Sequence, residues 1–137
     1  MDFLQFVQGQ IMSSDHHEQV RLASEALDAF TDAFNACDLN RMDQALHFPH
    51  LMLSGGETLI WDQAGQHPLD FFSHLLATGW RQTRYESRTA VCVTPNKVHF
   101  VVEYTRRNQR DQELSRHINL WVVTLKQDRW GIALRSY

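Results

Sequence analysis

The pattern of this chain is helical from Asp15, interrupted by a short hairpin pattern at 51–61, and switches to period two from about Arg81 onward. That single change of period constrains the fold more than any motif does. In the first part Val20, Ala23, Leu27, Phe30, Phe34 and Cys37 recur at intervals of three and four, which predicts one amphipathic helix of about six turns. Asp15 with Glu18 three residues on has the pattern of a capping box at its start. Asp38 suits the cap of a second, short helix carrying Leu39, Met42 and Leu46, and Pro49 is expected to end it. Leu51, Met52 and Leu53 then read as a short strand, Gly55-Gly56 as a turn and residues 58–61 as the hairpin partner. Pro68 opens a third helix bearing Leu69, Phe72, Leu75 and Leu76, which Gly79 closes.

In the second part Tyr85, Ser87, Thr89, Val91 and Val93 alternate with Arg84, Glu86, Arg88, Ala90 and Cys92. Pro95-Asn96 turns the chain into Val98, Phe100, Val102, Tyr104 and Arg106. Past a polar loop at 107–113, residues 116–125 form a strand apolar on both faces, and residues 130–137 a last one. The fold class is α+β: three N-terminal helices packed on a strongly curved, mostly antiparallel sheet. A strand apolar on both sides needs both faces of its sheet covered. The helices cover one, and a second copy of the chain, giving a homodimer through the convex face, is expected to cover the other.

A chain of 137 residues, 43% of them hydrophobic, reads as one domain over 1–137 with a core that needs no staples. Residues 1–14 form an N-terminal extension in which Phe3, Leu4, Val7 and Ile11 suit a short amphipathic helix interrupted by Gly9. Cys37 and Cys92 have no metal or redox spacing and read as free thiols of a cytoplasmic protein. The N-terminal residues lack the basic region of a secretory leader, and no apolar run reaches membrane-spanning length.

Charge is divided along the chain. Residues 1–70 carry eleven acids against two bases, and residues 71–137 five acids against eleven bases. Either an acidic helical half packs on a basic sheet half, or Arg81, Arg84, Arg88, Arg106, Arg107, Arg110 and Arg116 flank an anion site. Nucleic acid is not expected as a partner, because the pI is near 6.2 and Lys97 and Lys126 are the only lysines.

Three segments carry a resemblance: Ala33-Phe34-Asn35-Ala36-Cys37-Asp38-Leu39-Asn40-Arg41-Met42, Phe48-Pro49-His50-Leu51-Met52-Leu53-Ser54-Gly55-Gly56, and Asp128-Arg129-Trp130-Gly131-Ile132. With the order of elements they resemble the nuclear transport factor 2-like cone fold, the superfamily of SnoaL-like cyclases and ketosteroid isomerase. The resemblance implies a cone-shaped cavity between the concave sheet and the helices, usually in a homodimer. It further implies a SnoaL-like small-molecule-binding protein with a mostly apolar cavity, a lyase or isomerase on a small organic substrate, or alternatively a non-catalytic dimerisation module. The sequence departs from ketosteroid isomerase: Ser54-Gly55-Gly56 stands where the carboxylate base would fall, and Phe30 and Phe34 where a Tyr would be sought.

His50 is the candidate catalytic residue. An imidazole beginning the cavity wall could act as general base or orient a ligand carbonyl, against the alternative of a backbone-bonded corner histidine. Trp61 beside Asp62 and Trp80 beside Arg81 place aromatics next to charges at element ends. Tyr104 and Arg106 share one strand face, and His117, Asn119 and Trp121 share another; together they could fix a small apolar or anionic ligand. Arg135 could meet a ligand carboxylate, or pair with Glu86 or Glu103. No metal site is expected, since Pro49 interrupts the helix that would align His47 with His50. No cofactor is expected either, for want of a P-loop, a GxGxxG or a GxSxG elbow.

Overall fold

The three-and-four spacing in the first part becomes a 19-residue helix that buries Ala23, Ala26, Leu27, Phe30 and Ala33 along one stripe. The computed structural model describes residues 1–10 and 17–137, so the capping box at Asp15 and the apolar position Ile11 lie outside the described residues. In chain order the elements are α1 (Phe3–Gln8), α2 (His17–Asn35), α3 (Leu39–Gln44), β1 (Leu46–Ser54), β2 (Glu57–Trp61), α4 (Phe71–Ala77), β3 (Gln82–Thr94), β4 (Lys97–Arg107), β5 (Glu113–Lys126) and β6 (Arg129–Ser136). The strands form one sheet in the order β2-β1-β6-β5-β4-β3. Its one parallel pair is β1 with β6; every other pair is antiparallel.

Asp38 caps α3 as expected, accepting a hydrogen bond from the Arg41 amide at 3.0 Å. The helix does not run to Pro49, however. It ends at Gln44, and β1 starts five residues before the expected strand. Leu46 and His50 are buried because β1 lies beside β6, with Leu46 opposite Ile132. Pro49, which has no N–H to give, follows a cis peptide bond where the register with β6 shifts between Leu46 and Leu51. The third helix likewise begins at Phe71, since Pro68 belongs to the turn before it; Gly79, at φ 96°, follows it.

The predicted alternation sets the two sheet faces. Val98, Phe100, Val102 and Tyr104 are buried beneath α2 and α4, with Trp121 and Val123 of β5 on the same concave face. On the convex face Val91, Ile118 and Leu120 remain exposed in the single chain. Phe3, Leu4, Phe6 and Val7 of α1 are exposed too, and the segment is tied to the β3–β4 turn through Gln10, whose Oε1 accepts from Thr94 Oγ1 and the Asn96 amide.

The sheet's arginines are neutralised mostly by the sheet's own acids. Arg84 meets Glu86, Arg107 meets Asp111, and Arg116 meets Glu103 and Glu113, whereas Arg88–Asp28 joins sheet to helix. The division of charge along the chain is therefore not a simple helix-to-sheet attraction. No described helix is long and apolar enough to cross a membrane.

Candidate functional site

A cavity of about 350 Å³ lies between α2, the β1–β2 edge, the segment around His67 and the concave face of the sheet. Its walls are largely aromatic. Phe30 and Phe34 enter from α2 because they sit one turn apart on the buried stripe, and Phe71 enters from α4, edge-to-face with Phe34 at 5.9 Å. Met52 and Leu59, opposite one another in the β1–β2 hairpin, close one side with Trp61. Tyr104, Arg106, Trp121, Arg135 and Tyr137 form the sheet wall.

Arg135 is the buried cation of this wall, only 5% exposed. Its Nε donates to His50 Nε2 at 2.9 Å, its Nη1 to the Tyr137 hydroxyl at 2.8 Å, and its Nη2 to Met52 Sδ at 3.3 Å. The guanidinium also lies over the Phe30 ring, 4.8 Å from its centroid. No carboxylate of the described residues pairs with it. The bridges anticipated with Glu86 and Glu103 are not formed, because Arg84 and Thr105 take Glu86 and Arg116 takes Glu103.

His50 does not line the cavity. It is fully buried within β1; its Nδ1 donates to the Ile132 carbonyl at 3.0 Å, which leaves Nε2 to accept from Arg135. Burial first, and the neighbouring Arg135 charge second, push its pKa down to about 3, so the ring stays neutral. A role as general base toward a ligand is not one this geometry offers. His50 instead holds Arg135 in place.

Four of the remaining sequence candidates reach the cavity and two do not. Trp61, Tyr104, Arg106 and Trp121 line it. The Tyr104 hydroxyl accepts from Asn119 Nδ2 at 2.8 Å, and burial raises its pKa. Trp121 meets Phe30 edge-to-face at 5.7 Å. Trp80 lies in the core with its Nε1 on Thr83 Oγ1, and His117, stacked on Tyr104 at 5.0 Å, is bonded to Ser115.

Sequence reading missed a second histidine. His67, 9% exposed, lines the cavity, and its Nδ1 lies 3.0 Å from Oδ1 of Asp43, itself 8% exposed. Gly65 donates its amide to the other Asp43 oxygen at 2.9 Å, which fastens the irregular segment to α3. Trp61 packs edge-on against the His67 ring at 4.5 Å. Burial lowers the His67 pKa, the Asp43 carboxylate opposes that and Arg135 adds to it. His67 sits in an irregular segment, where no periodicity marks it. The one signal was an acid, Asp43, next to Met42 on a helix short enough for both to be buried.

Four polar atoms of cavity-lining residues are buried and have no hydrogen-bond partner among the described residues: His67 Nδ1, His67 Nε2, Arg106 Nε and Trp121 Nε1. Buried polar groups are normally satisfied, so these four are unusual; each is shut off from solvent, and His67 Nδ1 has Asp43 Oδ1, likewise without a hydrogen-bond partner, 3.0 Å away.

No family model and no curated protein sequence matches the chain. Solved structures do. A protein with a cystatin-like fold from Nostoc punctiforme superposes with a TM-score of 0.66 at 12% identity, covering 85% of this chain and 86% of that one. An NTF2-like protein with a cystatin-like fold from Novosphingobium aromaticivorans gives 0.66 at 13% identity, over 87% and 80%. A ketosteroid isomerase-like protein from Erwinia carotovora atroseptica gives 0.62 at 13% identity, over 88% and 95%. At these identities the likeness is one of architecture: the chain has the nuclear transport factor 2-like fold.

Proposed function

We propose that the cavity binds a small, mostly aromatic organic acid and that Arg135 is the counter-charge for its carboxylate. The observation that carries this reading is a buried guanidinium in an aromatic wall with no acid beside it among the described residues. Burying a charge costs several kcal/mol unless it is paired. A neutral imidazole, a phenol, a thioether and a ring face solvate Arg135 without neutralising it. A carboxylate supplies the missing charge and accepts from the guanidinium fork. Arg106, which lines the same cavity, adds a second guanidinium. The volume lies at the small end of ligand pockets, about 300–1,000 Å³, and suits one or two rings.

An interaction module with a filled core is less well supported, since side chains leave this space open. For the site to act as a lyase or isomerase it must also move a proton, and His67 is suited to that.

Titration with phenylacetate, followed by tryptophan fluorescence and calorimetry, tests the reading. Phenylacetate is expected to bind, the neutral amide phenylacetamide to bind at least tenfold more weakly, and Arg135→Gln to remove the difference while keeping the circular-dichroism spectrum. Equal binding of acid and amide, or binding of neither, refutes it.

A further inference from the structure

We propose that residues 62–70 form a strap that lifts from α3 to admit and release the ligand of the cavity, and that Asp43 is its latch. This rests on the ligand-binding reading above and adds the route by which the site is filled.

The strap runs from the end of β2 to the start of α4 without helix or strand, and it turns at Gly65, whose φ of 90° lies in the region that favours glycine. Few contacts hold it down. Between Asp62 and Asp70 only His67 is buried, and Leu69, the one large aliphatic side chain in the segment, is 92% exposed. Closing the strap therefore buries almost no apolar side chain, and hydrophobic burial is not what keeps it closed. Among the described residues one hydrogen bond ties it to any part of the molecule other than the adjoining α4: the Gly65 amide donates to Asp43 Oδ2 at 2.9 Å. Its other polar contact falls on the same carboxylate, where His67 Nδ1 lies 3.0 Å from Asp43 Oδ1 without forming a hydrogen bond. Both attachments thus converge on one buried side chain of α3.

The closed position is also poorly satisfied. His67 Nδ1, His67 Nε2 and Asp43 Oδ1 are shut off from water without a hydrogen-bond partner, and lifting the strap returns all three to water. A segment with no apolar anchor, one bond to a carboxylate and three unsatisfied polar atoms opens far more readily than the sheet unfolds.

Its place in the wall makes that opening matter. Of the residues lining the cavity, Leu59, Pro68 and Tyr137 are exposed and mark its mouth. Pro68 belongs to the strap, His67 precedes it, and Trp61, packed edge-on against the His67 ring, stands at the strap's root. Lifting the strap withdraws His67 and Pro68 from the wall and widens the mouth. Arg135 and Phe30 belong to β6 and α2 and stay where they are. The latch therefore sets how fast a ligand passes, and Arg135 how tightly it is held.

Stopped-flow tryptophan fluorescence with phenylacetate, on the unaltered protein and on Asp43→Ala, is the test. Loss of the latch is expected to raise the association and dissociation rate constants together, each by about tenfold or more, with Kd kept within about twofold. A variant that merely damaged the cavity would change Kd instead. Rate constants that stay the same in the folded variant, or a change in one of them alone, overturn this inference and leave the binding reading standing. Failure of the unaltered protein to bind phenylacetate overturns both. Hydrogen exchange on the unaltered protein decides the matter even if the variant does not fold: the Gly65 amide is expected to exchange about 100-fold or more faster than the amides of β4 and β5, at a rate that low urea leaves unchanged. A Gly65 amide that exchanges only as slowly as those strands overturns the strap.

Discussion

Stability should be lost as pH drops through a range well above that in which carboxylates titrate, and His50 should account for a separable share of the loss. Its pKa drops from 6.5 to about 3 on folding, so the unfolded chain binds a proton between those values and the native chain does not. Stability then rises with pH across that window: the contribution is fully present above 6.5 and is lost as pH drops below it. At 1.36 kcal/mol per unit, the loss from His50 between pH 7.5 and pH 5.0 is about 2 kcal/mol. Urea unfolding at both pH values measures it. His50→Gln keeps one donor for the Ile132 carbonyl and one acceptor for Arg135 but cannot titrate, so its loss over the same interval should be smaller than that of the parent by about 2 kcal/mol. The other histidines with lowered pKa values, His47, His67, His99 and His117, are common to both proteins and cancel in the difference. Parallel pH curves for parent and variant would refute the assignment of a buried, neutral His50.

Three further outcomes are expected. Gly131→Ala places a Cβ 2.9 Å from His47 Cδ2 and from Arg129 Nη1 and should cost about 1–3 kcal/mol, read as a lowered urea midpoint. Leu27→Ala, at a position with no exposure under the sheet, should cost about 2–5 kcal/mol in the same assay. On the uncovered convex face, light scattering coupled to size exclusion is expected to find a homodimer, and Ile118→Lys to give a monomer with unchanged circular dichroism; a monomeric parent would remove that expectation.

The sheet was legible where residues alternate and the helices where they recur every three or four. Phe100, Val102 and Tyr104 fall on the concave face because period two leaves no other choice once Val98 is buried. The β1 boundary was misread because Pro49 stops helices, and nothing local announces a strand beside β6, far along the chain. The site was partly legible for a related reason. Trp61, Tyr104, Arg106 and Trp121 could be placed by parity on strands, whereas Asp43 and His67 meet only through the irregular segment pinned by Gly65. Arg135 lacks an acid because its two nominal partners are captured elsewhere on the sheet, a competition that no single strand displays.

The pairing of β1 with β6 also sets an order of events during folding. His50 and Arg135 touch across 85 residues of sequence, and β6 lies between β1 and β5. During synthesis the β1–β2 hairpin emerges early, yet it has no sheet to join until β6 has been made. The nascent chain must therefore keep a short apolar hairpin from pairing elsewhere while β3, β4 and β5 assemble beside α2. Contacts of such separation slow folding and lengthen exposure to aggregation. The same late strand delivers Arg135, so the cavity acquires its most deeply buried cation in the last act of assembly.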